Sequence, residues 1–509
     1  MRTLLSGVTI RARPGQGVVI DGSKLAWVGP MSQAPTAERT LDMSGCLLLP
    51  AFVDAHVHAT ATGLSLSGLD LHGTVSLPAA LERIAAHADA HPAGQLIFGT
   101  GWDETTWPER RAPTIGELDA AGRGAPAYLA RVDVHSAVVS TALLERCPQA
   151  QDCTGFDRNG HLRMEAHHVV RRAAQAAIRP EQRLLAQRAT RSRAGELGVA
   201  AIHEMAGPDI SGRDDLESLL HLARTESGPE VLGYWGELGA TDIVTDLGLA
   251  GAAGDLFCDG AFGSHTAALH KPYEDAQHTS GALYFTDEQV TEHLRQATRA
   301  RIQAGFHCIG DAAIDQIARG FEAVAAEFGD LPVRGCRHRL EHLEMPSAPA
   351  MATFARLDAV ASVQPSFDAA WGGLGRMYET RLGAARAQEL NPLANLAAAG
   401  LTIAFGSDSP VTAIDPWRGI SAAVGHRTQA SRMSLGQAMV AATVGGWRAG
   451  RHPGPAVGRI EVGAPAHLAI WEIEEPLADL VASLVDGAPP PRCALTVVGG
   501  RIIHGAEDQ

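Results

Sequence analysis

The sequence predicts an α/β protein: a (β/α)8 TIM barrel with a small β-sandwich built from both chain ends and an insertion after the first barrel strand. Short apolar runs alternate with helical segments eight times through the middle of the chain, as buried parallel strands and their crossover helices do. The chain has 509 residues, more than one ordinary core supports. These observations divide it into residues 1–49, 50–454 and 455–509.

The two ends of the chain share a sequence pattern that differs from that of the middle. Residues 1–49 contain GVVIDGSKLAWVG, and residues 455–509 contain ALTVVGGRIIHG. Short runs of this kind, broken by Gly, Pro, Asp and Ser, are typical of strands joined by tight turns. Because chain termini often lie close together, we expect both ends to pair in one β-sandwich.

Eight apolar runs between the ends are candidate barrel strands, and helical segments such as TDEQVTEHLRQATRARIQA separate them. The gap between the first and second runs is too long for one crossover helix, so residues from about 63 to 178 are predicted to form an inserted subdomain near the barrel mouth. The eight runs are PAFVDAHVH, GVAAIHEM, EVLGYWG, GDLFCDG, AGFHCIG, RHRLEHL, AVASVQP and TIAFGS.

Composition excludes several classes of protein. Hydrophobic residues make up 45% and charged residues 19%, which is typical of a globular chain rather than a disordered one. A net charge of -15 argues against nucleic-acid binding, which needs a basic face. No apolar run reaches about 18 residues, so no membrane span is expected. Seven Cys without a C-x-x-C pair, and no signal peptide, favour a cytoplasmic protein. The expected partner is a small-molecule substrate, and homo-oligomerisation is left open.

Polar side chains stand where four of the barrel strands end, which is where barrel enzymes carry their reacting groups. The first strand ends in His56-Val57-His58, and alternation points both imidazoles to the same side. His307, His342 and Asp408 close the fifth, sixth and eighth strands. Taken singly, a buried His is more often structural and Asp408 equally suits a helix cap. Their joint placement favours a metal site of imidazoles and a carboxylate.

The motifs around these residues are specific. They are GWDE at Gly101–Glu104, DGAFGSHTAAL at Asp259–Leu269, HCIGDAAID at His307–Asp315, LEH at 340–342 and GSDSPV at Gly406–Val411. With them the sequence resembles, over nearly its whole length, the amidohydrolase superfamily and its family 3, which includes N-substituted formamide deformylase-like proteins. The resemblance implies a terminal β-sandwich, a catalytic and metal-contacting role for Asp408, and metal ligation by His56, His58, His307 and His342.

One position departs from the pattern of this family. Many relatives carry a Lys four residues before the Asp-Gly of the fourth strand, and its carbamylated form bridges two metals; here the residue is Asp255. Neither Lys24 nor Lys271, the two lysines of the chain, lies on a barrel strand. We therefore expect a single zinc, with a second metal left open. Asp255 is either a ligand or a partner of a ligating His; Cys258, a soft donor, should face the other way.

The predicted reaction is hydrolysis of a carbon–nitrogen bond in a non-peptide amide, an N-acyl or an N-formyl compound. Zinc lowers the pKa of water to about 7 and so supplies hydroxide. Asp408 is predicted to act as general base and then acid, with His342 or the metal stabilising the oxyanion. Two alternatives stay open: deamination of a nitrogen heterocycle at the same site, and a relative without turnover that binds a metal or small molecule.

Substrate contacts are predicted from position alone. The insertion is expected to roof the site, although its tryptophans equally suit its own core. His203 and Glu204 end the second strand, where hydrogen bonding alone would also explain them, and His167 and His168 are expected on a solvated helix face. The candidates are Trp102, Asp103, Glu104, Trp107 and His135 in the insertion, and Ser264, His265 and Thr266 after the fourth strand.

Overall fold

The fold is seen in a computed structural model that describes residues 2–473 and 475–505. Eight parallel strands form one sheet in sequence order, which confirms the predicted barrel. All eight predicted runs contribute a strand or lie directly beside one. The strands are Phe52–Val57, Val199–Ala206, Glu230–Trp235, Gly251–Ala252, Gln303–Cys308, Arg339–His342, Val360–Val363 and Thr402–Phe405.

The fourth strand begins earlier than predicted and is interrupted. Its regular part is Gly251–Ala252, and Gly254 then adopts a φ of 93°, which a side chain would resist. Pairing resumes beyond it, because His307 donates its N–H to the Leu256 carbonyl and accepts from the N–H of Cys258, both at 3.1 Å. Asp255 therefore sits at the break and is aimed by an irregular backbone.

The first and eighth strands nearly close the barrel. The N–H of Asp408 donates to the His56 carbonyl at 2.8 Å, and the N–H of His58 donates to the Ser409 carbonyl at 3.0 Å. These backbone bonds bring two predicted site segments together, although about 350 residues separate them along the chain.

Helices surround the barrel and cover its apolar strands. The predicted helix before the fifth strand is Asp287–Ala300, capped by Thr286. Among the residues that the structure describes, no helix combines the length and apolar character needed to cross a membrane. The helices are Ala59–Ser67, Leu77–Ala90, Ile115–Ala121, Thr141–Leu144, Met164–Ala176, Pro180–Glu196, Arg213–Thr225, Thr241–Leu247, Asp287–Ala300, Asp311–Phe328, Asp330–Cys336, Ala348–Arg356, Pro365–Trp371, Met377–Leu382, Ala384–Ala387, Leu393–Ala399, Pro416–Val424, Leu435–Val440, Gly446–Ala449 and Leu477–Val485.

Both chain ends join in one eight-stranded sheet, as predicted. Leu47–Pro50 pairs antiparallel with Leu468–Trp471, and this pairing fastens the beginning of the chain to its end. The remaining strands are Arg2–Ile10, Arg13–Asp21, Lys24–Pro30, Arg39–Asp42, Cys493–Val498 and Arg501–Gly505.

A five-stranded sheet lies between the first and second barrel strands. The helix Met164–Ala176 packs against this sheet with its buried face, which includes Ala166, Val170 and Ala174. The sheet's strands are Leu69–Asp70, Ile97–Trp102, Ala127–Arg131, Ser136–Val139 and His161–Arg163.

Candidate metal centre

His56 and His58 leave the first strand side by side, and each ring is held through its Nδ1 atom. Nδ1 of His56 lies 2.9 Å from Oε2 of Glu341, and Nδ1 of His58 lies 3.1 Å from the carbonyl of Met205. Since a carbonyl or a carboxylate accepts, Nδ1 carries the proton in both neutral rings. The Nε2 lone pairs are therefore left free to bind a cation.

His307 and His342 are fixed in the same way from the fifth and sixth strands. Nε2 of His307 lies 3.2 Å from the Gly260 carbonyl, and Nδ1 of His342 lies 2.8 Å from Oε1 of Gln364. The opposite nitrogen of each ring is left free, Nδ1 in His307 and Nε2 in His342. Hydrogen bonds that fix a tautomer in this manner are typical of metal-binding histidines.

The free nitrogens converge on two carboxylates. Oδ1 of Asp255 lies 3.3 Å from Nε2 of His56, and 3.6 Å from both Nδ1 of His307 and Nε2 of His342. Oδ1 of Asp408 lies 3.1 Å from Nε2 of His58 and 3.3 Å from Nε2 of His56. Ligands of a tetrahedral zinc ion stand about 3.4 Å apart, the spacing that bonds of 2.0–2.1 Å impose.

These donors form two groups that share Asp255. One contains His56, His58, Asp255 and Asp408, and the other contains Asp255, His307 and His342. Nε2 of His56, Nδ1 of His307 and Oδ1 of Asp255 are buried without a hydrogen bond to any described residue. Buried polar atoms without partners are costly, and cations held by the two groups would satisfy all three. The residues present therefore fit a metal ion.

The carboxylates of the centre hold protons on the neighbouring histidines when no cation is present. Burial alone would lower the pKa of His58, but hydrogen bonds with Asp255 and Asp408 outweigh it and raise that pKa to about 9. Burial also opposes the charged form of His56, yet the same carboxylates raise its pKa well above the ordinary value. A metal ion must therefore displace protons from these nitrogens in order to bind.

Comparison with known proteins agrees with this geometry. The profile described as the amidohydrolase family matches residues 39–504. The chain belongs to the amidohydrolase family. It is accordingly a hydrolase that acts on carbon–nitrogen bonds other than peptide bonds, with small molecules as substrates.

Relatives of this amidohydrolase cover most of its length. It is 24% identical to the N-substituted formamide deformylase of Arthrobacter pascens over 458 residues, 83% of this chain and 82% of that one. It is 27% identical to an imidazolonepropionase of Cereibacter sphaeroides over 468 residues, 91% and 90% of the two chains. The crystal structure of an uncharacterized metal-dependent hydrolase of Pyrococcus horikoshii superposes with a TM-score of 0.72 at 24% identity, covering 93% of this chain and 98% of that one, which supports the fold.

The sequence did not point to the residues that hold His56 in place. Arg339 is fully buried, and its Nε donates to Oε1 of Glu341 at 2.6 Å, while Glu341 accepts from His56. Burial would raise the pKa of Glu341, but the Arg339 charge overrides it and lowers that pKa to about 2. The available signal was a charged pair inside a barrel strand that is buried along its whole length.

Glu344, two residues after His342, is a second acid at the site that was not predicted from the sequence. It is buried, accepts a hydrogen bond from the Tyr378 hydroxyl at 2.5 Å, and lines a cavity together with Asp408. Burial raises the pKa of Glu344 to about 7. His307 and His342 also line this cavity.

Among the predicted substrate contacts, His135 does lie at the metal centre. Its ring centroid is 4.8 Å from that of His307, and it lines the same cavity as Asp408. Burial and the nearby His307 lower the pKa of His135 well below its ordinary value, so the ring is neutral. Its backbone N–H donates to the Asp133 carboxylate at 3.2 Å, which fixes the loop that carries it.

Trp102 lies in the core of the insertion and not in the site. Its side chain is fully buried, and the indole N–H donates to the Leu129 carbonyl at 2.8 Å. Trp107, with its ring centroid 6.3 Å away, belongs to the same core. The ring therefore fills the insertion's own core, which was the alternative to the predicted substrate contact by Trp102. The solvated face expected for His167 is wrong, since that ring is buried and bonds to the Tyr128 hydroxyl at 2.8 Å.

Asp103, Ser264 and His265 belong to an ion network that joins the insertion to the barrel loops. Arg131, 1% exposed, contacts Asp103 at 3.0 Å, Glu104 at 2.8 Å and Asp133 at 2.9 Å. Ser264 donates to Asp133 at 2.8 Å, so the network reaches the loop after the fourth strand. The other links are Arg381 to Glu104 and Asp275, and His265 to Asp275. The side chains of Asp103, Ser264 and His265 are thus already bonded to other residues of the protein.

We expect the substitution Arg131→Met to destabilise the insertion by about 3–5 kcal/mol, because it leaves three carboxylates without their buried cation. Urea denaturation followed by the fluorescence of buried tryptophans measures this change. Arg123→Met is the control, since Arg123 makes an exposed ion pair with Asp89 and its loss should change little. Equal denaturation midpoints for the two variants would show that the network contributes no stability.

Proposed function

We propose that this amidohydrolase uses zinc to hydrolyse the carbon–nitrogen bond of a non-peptide amide, an N-acyl or N-formyl compound. The observation that carries the proposal is the convergence of four imidazoles, each fixed through one nitrogen, on the carboxylates of Asp255 and Asp408. Mixed imidazole and carboxylate donors are the set that catalytic zinc prefers.

The proposed ligands divide between two positions. His56, His58, Asp255 and Asp408 would hold one ion, and Asp255, His307 and His342 would hold a second. The grouping thus favours two ions over the single ion that the missing lysine suggested, because Asp255 stands where both groups meet. Zinc bound here lowers the pKa of water to about 7, which supplies the nucleophile at neutral pH.

Asp408 is the proposed general base and acid. Its carboxylate lines the cavity beside His342, and its backbone is fixed by the His56 carbonyl. It also adopts a left-handed φ of 54°, a strained conformation of the kind that clusters at active sites. Asp408 accepts the proton of the attacking water and then delivers it to the departing nitrogen.

His342 is better suited to ligation than to stabilising the oxyanion. Its Nδ1–H donates a hydrogen bond to Oε1 of Gln364, and its Nε2 lone pair faces Asp255. No N–H of this ring therefore remains for the substrate. His135 is the better donor. Its neutral ring carries one N–H, and the ring forms no hydrogen bond with any residue that the structure describes. We therefore assign to His135 a hydrogen bond to the substrate carbonyl.

Metal analysis followed by product assays tests the proposal. The purified protein should contain zinc and release amine or ammonia from at least one of a panel of N-formyl, N-acyl and cyclic amides. His56→Ala and His58→Ala should lose both metal and activity, because each removes a nitrogen ligand. His221→Ala, on an exposed helix surface, is the matched control and should keep both.

Other outcomes separate the alternatives. Ammonia from aminated heterocycles without amide hydrolysis would identify a deaminase instead. Bound metal with no turnover on any compound would point to a binding protein. Full metal content in His56→Ala would remove the proposed centre itself.

A further inference from the structure

A groove of about 700 Å³ lies in the seam between the terminal sheet and the helices of the barrel. The strand Leu47–Pro50 lines it on the side of the sheet, and Met439, Val440 and Leu477 line it on the side of the helices. None of the proposed metal ligands, all of which the structure describes, belongs to its lining. Sites for small molecules measure about 300–1,000 Å³, so this groove has room for a ligand apart from the site of hydrolysis.

The floor of the groove is apolar because side chains alternate along a strand. Leu48 belongs to the core of the terminal sheet, whereas Leu47 and Leu49 belong to the core shared with the barrel. Ile473 also lines the groove and packs, partly buried, against that shared core. Val440 completes this surface and is 52% exposed. A hydrocarbon chain laid in the groove would therefore remove apolar surface from water.

The helical wall of the groove contains a π-helical turn. The helix Leu435–Val440 continues through the π turn Ala441–Gly445 into Gly446–Ala449. A Cβ at Gly445 would lie 2.1 Å from the Ile403 carbonyl oxygen, so this glycine lets the helix lie directly against the eighth barrel strand. Turns of this type are rare and occur frequently at functional sites. The residues of the helix and its π turn that line the groove are Met439, Val440, Thr443, Val444 and Arg448.

Three arginines line the groove without a counter-ion. Arg11 lies in the turn between the first two strands of the chain, Arg448 on the helical wall, and Arg459 beyond that wall. Within residues 2–473 and 475–505, no group forms a hydrogen bond or an ion pair with these guanidinium groups. Glu475 is the one acid of the described lining. Positive charge is thus in excess around an apolar floor, in a chain whose net charge is -15.

We propose that this groove binds a free fatty acid, with the hydrocarbon chain on the apolar floor and the carboxylate against the arginines. A guanidinium presents a planar pair of donors that matches a carboxylate. A hydrocarbon chain needs no hydrogen-bond partner, whereas a peptide would bring amide groups onto a floor of leucine side chains that cannot satisfy them. The site is separate from the metal centre, so it does not depend on the proposed function.

Calorimetry on the full-length protein tests the proposal with hexanoate, octanoate and decanoate, and with octanol as the uncharged control. Affinity should rise about fourfold with each added methylene, the gain expected from burying that group. Octanoate should bind about 10- to 100-fold more tightly than octanol, the range expected for charge-assisted hydrogen bonds. His56→Ala should bind decanoate as wild type does, because the groove does not include the metal centre.

Substitutions in the lining locate the binding. Arg448→Gln combined with Arg459→Gln should weaken decanoate binding about 10- to 100-fold, since both remove a charged donor. Val440→Glu should weaken it as well, because it places a negative charge on the lining. The matched controls are Arg501→Gln and Val462→Glu, which are exposed positions outside the lining and should bind decanoate as wild type does.

Several results would overturn this assignment. Equal affinity for the three acids would show that no chain lies on the floor, and equal affinity for octanoate and octanol would show that the arginines do not recognise the carboxylate. Loss of decanoate binding in His56→Ala would place the acid at the metal centre instead. Sedimentation of the protein with phosphatidylglycerol vesicles, without binding of decanoate, would assign the groove to a membrane surface.

Discussion

Asp408→Asn should retain its metal and lose about 10²- to 10⁴-fold in turnover, the range that general acid–base catalysis contributes. Asparagine has nearly the same shape, and His56, His58 and Asp255 remain to hold the ion of that group, so the centre should form. An amide cannot accept the proton of the attacking water. The loss should therefore appear in kcat, with the metal content nearly unchanged.

The control for this variant lies in the same loop. Asp415 caps the helix Pro416–Val424 by accepting the N–H of Arg418 at 3.0 Å, and asparagine caps a helix equally well. Asp415→Asn should therefore keep wild-type turnover and metal. Plasma emission analysis gives the metal content, and initial rates give kcat. Normal turnover in Asp408→Asn would remove Asp408 from the proton-transfer role.

The barrel was predictable because most of its strands are buried on both faces and therefore contain short apolar runs. The fourth strand was misplaced for a local reason. GDLFCDG has the composition of a strand, yet Gly254 turns the backbone to positive φ and splits the pairing there. A single glycine in an apolar run gives little warning of such a break.

The donor atoms of the centre were predictable for a related reason: side chains at strand ends must meet at the barrel mouth. The groups that orient them were not. Glu341 reaches His56 because the strands Phe52–Val57 and Arg339–His342 face each other across the barrel interior, and no sequence pattern encodes that contact. The contacts of the loop residues could not be predicted for the same reason, since only the tertiary fold shows that Asp103 forms an ion pair with Arg131.

Asp255 carries the second large effect, because its substitution should change the metal content itself. Wild type is expected to bind about two equivalents of zinc, and Asp255→Asn about one or fewer after dialysis. Oδ1 of Asp255 lies within 3.6 Å of nitrogens from both donor groups, so both positions depend on its charge. A neutral amide is a weak ligand for zinc and cannot compensate two cations.

Titration with zinc and the resulting rise in melting temperature measure this loss independently of activity, since a ligand stabilises the state that binds it. The rise should be smaller in Asp255→Asn, whereas Asp242→Asn, on an exposed part of a helix, should match wild type. Asp255→Glu keeps the charge but displaces it by one methylene, so it should retain the metal of one group and lose that of the other. If wild type binds one equivalent and Asp255→Asn binds as much, Asp255 is only a hydrogen-bonding partner, and a single ion held by the other donors explains the chemistry.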